Sequence, residues 1–185
     1  SIKNLPIDSF NLFKTKEIEK ILKEDKYYTS YIRSHNDNTL YDVKILYIKN
    51  PKNDNCVAIG SDLYSKLKIN KSNDVNFVFS NKMIKSFNNS CSEIIFGLLQ
   101  KSYIFTKYKN KVNNFKINSI NILNLNNYNL KNIDYYQNLL FAINYTKDLV
   151  SEPANILNPI NYAQRCQRLQ IPGLKIKVLD LNQIK

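Results

Sequence analysis

Apolar and polar side chains alternate with the two-residue period of a β-strand in several short stretches of the chain. Strands are predicted at residues 41–48, 74–80 and 174–178. Residues 56–59 are also interpreted as a short strand, followed by a short helix through Leu67 that Ser61 caps. Residues 115–125 are apolar with one break in phase, which indicates either a bulged strand or two short strands.

Other stretches place apolar side chains three and four positions apart, which is the spacing of one helix face. Helices are predicted at residues 15–25, 90–103 and 133–150, and from the capping pair Asn158-Pro159 through Leu169. Residues 27–39 are polar and are interpreted as loop. The asparagine-rich run 124–132 also favours loop and is the best internal boundary. Strands that alternate with helices indicate an α/β layered architecture.

The net charge indicates which class of partner the chain could bind. The 185 residues carry a formal charge of +12, with an isoelectric point near 9.5, which is typical of proteins that bind nucleic acid. Lysine supplies nearly all of it, since the only arginines are Arg33, Arg165 and Arg168. Arginine fits phosphate and base edges better than lysine does. A solvated surface enriched in lysine by an AT-rich genome is therefore the alternative explanation.

A stretch without acidic residues extends from Ile94 to Ile133. Its lysines are candidate contacts to RNA or DNA phosphates: Lys101, Lys107, Lys109, Lys111 and Lys116. Tyr103, Phe105 and Tyr108 lie among them and could either stack on bases or pack into the core. The stretch is thus either a nucleic-acid surface or a fringe of solvated lysines.

Metal-binding residue types are too dispersed to build a metal site within this chain. Cys56, Cys91 and Cys166 are far apart, and His35 is the only histidine. We therefore expect three reduced and mostly buried thiols inside a cell, in the cytoplasm or in an organelle such as the mitochondrion. No apolar run approaches the roughly 20 residues that span a bilayer, so no membrane partner is expected.

One segment resembles a known family. Residues 144–159 read N-Y-T-K-D-L-V-S-E-P-A-N-I-L-N-P, which is similar to the A-R-D-L-V-N-E-P-x-N-x-L-T-P segment of leucyl aminopeptidases. The matching positions are Asp148, Leu149, Glu152, Pro153, Asn155 and Pro159. Pro153 stops a helix, and Asn155 can tie down the following turn. Asp148 and Glu152 are one helical turn apart, and structural hydrogen bonding is favoured over catalysis because Glu152 stands at the helix end.

Two further segments strengthen the resemblance. Residues 97–109, G-L-L-Q-K-S-Y-I-F-T-K-Y-K, are similar to the family's G-L-x-L-x-S-Y-x-F-x-x-Y-K, with Gln100 in place of the usual leucine. Residues 174–180 are similar to its L-K-V-x-V-L-D strand. The order and spacing of the three segments agree with the family, and the resemblance extends from about Ser90 to Lys185.

The resemblance implies a fold and a domain division. Residues 1–130 would form a macro-domain-like layered sheet with flanking helices, residues 131–158 a linker helix with the family motif, and residues 159–185 the first helix and strand of a second, catalytic-type α/β domain. Family members are usually homohexamers. They bind two divalent metal ions, Zn or Mn, and remove N-terminal residues from peptides. No position of this chain matches their metal ligands, so we expect no catalytic residue and no cofactor in it.

Two functions follow as expectations. The first is a non-catalytic N-terminal portion of a leucyl-aminopeptidase-like metallopeptidase, acting in assembly, within a homo-oligomer or a larger complex. The second is a degenerate aminopeptidase-like subunit, a pseudoenzyme, in a larger assembly such as a ribonucleoprotein, with the basic stretch contacting nucleic acid. Scarce glycine, only Gly60, Gly97 and Gly173, argues against a nucleotide-binding phosphate loop.

Overall fold

The computed structural model describes residues 27–33, 40–46, 48, 51–52, 54–70, 73–79, 81–109, 115–122, 130–169 and 171–184. The helix predicted at residues 15–25 lies outside these ranges, and so do His35, Lys111 and Lys185. The division of the chain at residues 130 and 158 stays a prediction.

Within the described ranges, four strands form two separate pairs. Strands β1 (Tyr27–Arg33) and β2 (Leu40–Leu46) are antiparallel, with Tyr27 opposite Leu46. Strands β3 (Asp74–Phe77) and β4 (Ser119–Ile122) are parallel, with Asp74 opposite Ser119. A parallel pair needs a crossover connection, and two helices supply it here. The chain is therefore a mixed helix and strand protein with a small parallel sheet.

Six helices accompany the strands in the described part of the chain. They are α1 (Cys56–Asn70), α2 (Asn81–Ser86), α3 (Asn88–Ser102), α4 (Ile133–Ser151), α5 (Pro159–Gln167) and α6 (Leu181–Ile184). The predicted cap of α5 is confirmed, because Oδ1 of Asn158 accepts a hydrogen bond of 2.9 Å from the Asn161 N–H.

The core is built where α1 crosses α3. A Cβ atom on Gly97 would lie 2.0 Å from the Val57 carbonyl oxygen, and one on Gly60 would lie 2.0 Å from the Ile94 carbonyl oxygen. The two glycines therefore let the helix backbones touch. Fully buried side chains surround the crossing, with Ile94 and Leu98 the largest of them. Cys56 and Cys91 are free and buried there, as expected, and Cys166 is half-buried.

Three predicted elements are wrong. Residues 56–59 are the first turn of α1 and not a strand, because Asn55 caps the helix there: its Oδ1 accepts from the Ala58 N–H at 3.0 Å. Residues 27–33 form β1 and not loop; tyrosine, threonine and isoleucine favour a strand despite the polar neighbours. Residues 174–178 form no strand, because no described segment pairs with them.

The other elements are confirmed with shifted ends. The strand of residues 41–48 is β2 and that of 74–80 is β3. Within residues 115–122 there is one strand, β4, which begins where the apolar pattern changes phase at Ser119. The long helices predicted at residues 90–103 and 133–150 are α3 and α4.

Candidate functional site

The two motif segments of the sequence meet in space. Helix α4 lies beside α3, and hydrogen bonds join equivalent positions along both. At the N-terminal end the Tyr136 hydroxyl donates to Glu93 Oε1 at 3.1 Å. At the C-terminal end the Tyr103 hydroxyl donates to Asp148 Oδ1 at 2.7 Å. The two helices therefore run parallel, and their C-terminal ends form a junction between residues 103–108 and residues 147–152.

Glu152 is the centre of this junction. Its carboxylate accepts hydrogen bonds from Lys107 Nζ at 2.5 Å, from Arg165 Nη2 at 3.3 Å and from the Tyr108 hydroxyl. The Glu152 side chain is only 2% exposed, and both cations form ion pairs with it. The hydrogen bond from Lys107, followed by those from Tyr108 and Arg165, lowers the pKa of Glu152 from its usual 4.5 to about 2. The same bond raises the pKa of Lys107.

Local sequence explains why Glu152 points at these donors. Helix α4 ends at Ser151, since Pro153 cannot continue it, and Glu152 takes an extended conformation with φ −72° and ψ 138°. The Glu152 N–H still donates to the Leu149 carbonyl at 3.3 Å. The cap at Asn158 then starts α5, which brings Arg165 back onto the carboxylate.

Lys147 adds a further tie between the helices. Its Nζ donates to the Gln100 carbonyl at 3.2 Å and lies 4.9 Å from the centre of the Tyr103 ring. The bond to residue 100 uses the backbone, so it tolerates glutamine where the family has leucine. Lysine for the family's arginine at position 147 likewise keeps the charge that this contact needs.

A cleft of about 310 Å³ opens at the junction. Its apolar lining comes from Ile104, Phe105, Tyr145 and Leu149. Its polar lining comes from Thr106, Lys107, Asp148, Glu152 and Arg165. Both carboxylates of the motif thus face a partly apolar space that two cations also reach.

The motif residues of the sequence fall into different roles. Asp148 and Glu152 both accept hydrogen bonds across the junction, and their structural role stays a prediction. The Pro153 carbonyl accepts from the N–H groups of Ile156 and Leu157, each at 2.9 Å, and Pro159 starts α5. Asn155 is exposed, and no described residue hydrogen-bonds its side chain. The turn that it was expected to tie down is held by Asn161 Nδ2, which donates to the Ile156 carbonyl at 2.9 Å.

The lysines of the basic stretch also differ in their surroundings. Lys101, Lys109 and Lys116 are exposed, whereas Lys107 is engaged by Glu152. Of the two alternatives for the aromatic residues of this stretch, core packing does not hold for Tyr108, which is 49% exposed, whereas Tyr103 and Phe105 are half-buried. The hydroxyls of Tyr103 and Tyr108 hydrogen-bond to Asp148 and Glu152. Sequence reasoning missed Arg165 in this role, because a contact across thirteen residues and a turn has no periodic signature.

No metal centre is evident among the residues whose placement is described, since no three His, Cys, Asp or Glu side chains come together there. Asp148 and Glu152 do not fit a divalent ion, because Lys107 and Arg165 already neutralise Glu152 at hydrogen-bond distance. Of the helices in the described ranges, none has the length and apolar character that a membrane span requires.

Comparison with known proteins places these observations in context. No family model matches the chain. It is 34% identical over 116 residues to a probable cytosol aminopeptidase of Phytoplasma australiense, covering 61% of this chain and 23% of that one. It is 26% identical over 139 residues to a probable cytosol aminopeptidase of a Sulfurihydrogenibium species, covering 72% and 28%. The chain thus spans about a quarter of the length of these relatives.

A solved structure agrees with the sequence comparison. A mutant of tomato leucine aminopeptidase superposes on 86% of this chain and 33% of its own, with a TM-score of 0.59 and 16% identity. The likeness establishes a shared fold over that region.

Proposed function

Because this chain is related over part of its length to the leucyl aminopeptidase family, we propose that it is the non-catalytic N-terminal portion of a leucyl-aminopeptidase-like metallopeptidase, acting in assembly. The parent activity would be the removal of N-terminal residues from peptides. Residues outside this chain would hold the two divalent ions, Zn or Mn. The assembly would be a homo-oligomer, a hexamer as in the family, inside the cell.

The observation that carries the proposal is the exposure of the C-terminal part. None of the described residues from 131 to 184 is buried. Large apolar side chains are exposed throughout it: Tyr135, Phe141, Val150, Ile156, Ile160, Tyr162, Ile171, Leu174, Val178, Leu179, Leu181 and Ile184. Apolar surface on this scale marks an interaction site in a folded protein. Catalytic-domain residues are the partner proposed to cover it.

The finer fold description belongs to the same proposal. The parallel pair β3 and β4, with α1 and α3 packed nearby, supports a macro-domain-like layered unit over residues 1–130. Residues 174–180 form neither a helix nor a strand with the described residues. This supports the proposal that they begin a second α/β domain, in which neighbouring strands would complete their hydrogen bonds.

A chimera tests the proposal. The matching quarter of the Phytoplasma australiense relative is replaced by this chain, and the product is assayed for oligomeric mass and for peptidase activity with added Mn or Zn. We expect an assembled, active enzyme, and no peptidase activity from this chain alone. The variant Ile160→Asp should abolish assembly, because it places a charge on the exposed apolar surface of α5.

A matched control is Ile69→Asp, at a residue 79% exposed near the end of α1, which should leave assembly unchanged. A chimera that is folded but inactive and monomeric would overturn the assembly role. Equal losses in both variants would show that the surface of residues 131–184 has no special part in it.

A second candidate function rests on a different observation. Lys101, Lys109 and Lys116 are exposed and form no ion pair with a carboxylate of the described residues. They would contact RNA or DNA in a degenerate, structural subunit of a larger complex. Replacing all three by glutamine should weaken binding to single-stranded RNA and lower its salt dependence. Lys68, Lys82 and Lys85 replaced by glutamine give a control of equal charge, and an equal effect there would exclude a dedicated surface.

A further inference from the structure

The cleft at the junction holds charges that an assembly role does not require. Asp148 in α4 and Glu152, the residue that directly follows α4, both line the cleft. Lys107 and Arg165 converge on Glu152, so the two ends of the cleft differ in charge: acidic at Asp148, and cationic around Glu152. Between them lie apolar walls that include Ile104 and Phe105.

Each charged group keeps hydrogen-bonding capacity. Arg165 contacts Glu152 through Nη2, and a guanidinium carries five N–H donors. Lys107 contacts it through one of the three donors of an ammonium. Asp148 accepts from Tyr103 through Oδ1, and Oδ2 has no partner among the described residues. The Lys107 side chain is 53% exposed and that of Arg165 27%, so both are within reach of a small molecule.

We infer that this cleft binds a small zwitterion with an apolar side chain, of the class of apolar α-amino acids. The carboxylate of the ligand accepts from Arg165 and Lys107, its ammonium donates to Asp148, and its side chain packs against Ile104 and Phe105. A simple anion would leave Asp148 unmatched, and a simple cation would meet Lys107 and Arg165. The cleft volume of about 310 Å³ lies at the small end for ligand sites and suits a molecule of this size.

Three probe molecules separate the contributions of the ligand's ammonium and carboxylate groups to binding. Norleucine has both charges, hexanoate lacks the ammonium, and pentylamine lacks the carboxylate. Binding is measured on the full chain by amide chemical-shift titration in NMR at pH 7. We expect saturable millimolar binding of norleucine, with shifts at residues 103–108 and 147–152, and much weaker responses to the other two.

Variants locate the site. Arg165→Gln should weaken norleucine binding by about tenfold or more, because it removes a charged hydrogen-bond donor. Arg168→Gln, at the C-terminal cap of the same helix and outside the cleft, should change it less than about twofold. Far-ultraviolet circular dichroism confirms that both variants are folded, and Arg165→Lys should recover part of the affinity if charge is what matters.

Equal responses to norleucine, hexanoate and pentylamine would overturn the inference, and so would an unsaturable response to norleucine. Shifts centred away from the junction, or equal losses in Arg165→Gln and Arg168→Gln, would also exclude this site. Neither result bears on assembly of the chimera, so the two proposals fail independently.

Discussion

The crossing of α1 with α3 and the packing of α4 on α3 are two helix contacts of opposite kinds. In the first, two glycines bring the backbones together and fully buried apolar side chains fill the space around them. In the second, α4 has no buried residue, and hydrogen bonds at both ends hold it in place. The first contact is made by buried apolar packing, whereas the second combines hydrogen bonds with a ring contact between Phe96 and Tyr136 at 5.2 Å. Different substitutions should therefore break them.

The largest effect should come from Leu98→Ala in α3. Leu98 is 0% exposed, and truncating it leaves a cavity in the core, which should lower the free energy of unfolding by about 3 kcal/mol. Urea unfolding followed by circular dichroism measures it. Leu181→Ala, at a residue 71% exposed in α6, removes the same atoms and should cost less than about 0.5 kcal/mol. Similar losses in both would mean that the core is not where the stability lies.

Gly97→Ala should follow closely. The added methyl carbon would meet the Val57 carbonyl oxygen, which is backbone and cannot rotate away, so α1 must move off α3. We expect a loss of about 2–3 kcal/mol, the upper part of the range for overpacked cores. Gly173→Ala is the matched control: its φ of 82° strains an alanine, but apart from its chain neighbours no described residue has an atom within 4 Å of the new carbon. A smaller loss for Gly97→Ala than for Gly173→Ala would contradict the close approach of the helices.

Glu152→Gln should separate the two contacts. The amide keeps the size of the side chain but loses the charge that Lys107 and Arg165 pair with. We expect faster hydrogen exchange at the amides of α4 with little change at those of α1 and α3, because the core does not use this carboxylate. Asp62→Asn, at an exposed residue of α1, serves as the control. Uniformly faster exchange in all three helices would show that the junction and the core open together.

For the contact between α4 and α3, the sequence predicts which residues take part better than it predicts how the two helices are arranged. The motif singles out Asp148, Glu152, Tyr103 and Tyr108, and all four side chains hydrogen-bond at the junction. It does not show that the two motif segments face each other, since that depends on α4 lying parallel to α3 across a connection of about thirty residues. Arg165 adds a contact across a turn, which no local pattern encodes.

For the contact between α1 and α3, the sequence pattern identifies one of the two helices and misses the start of the other. Apolar spacing correctly places α3, yet it misassigns residues 56–59, because valine and isoleucine beside a glycine look like a strand that ends at a turn. Two features favour a helix at these residues: the cap at Asn55 and the close approach of α3 to Gly60. The second is a tertiary contact, which a local sequence pattern does not encode. The strand prediction for residues 174–178 is wrong for a related reason. A segment with alternating apolar residues forms a β-strand only where a partner strand is present.

The smallest expected effect is the pH dependence of the stability that Glu152 contributes, and it is the most specific test of the junction. The pKa of Glu152 is lowered from 4.5 to about 2 in the folded protein, so its contribution to stability is complete above about pH 4.5. Between pH 4.5 and 2 the unfolded chain takes up a proton that the folded chain refuses, and this contribution declines; below about pH 2 it is gone. Other carboxylates titrate in the same window, but they are common to the wild-type chain and to Glu152→Gln. The difference in unfolding free energy between the two proteins should therefore shrink as the pH falls from 4.5 to 2, measured by urea unfolding at each pH. A difference that stays constant over this range would mean that the carboxylate charge does not hold α4 on α3, and that shape governs both contacts.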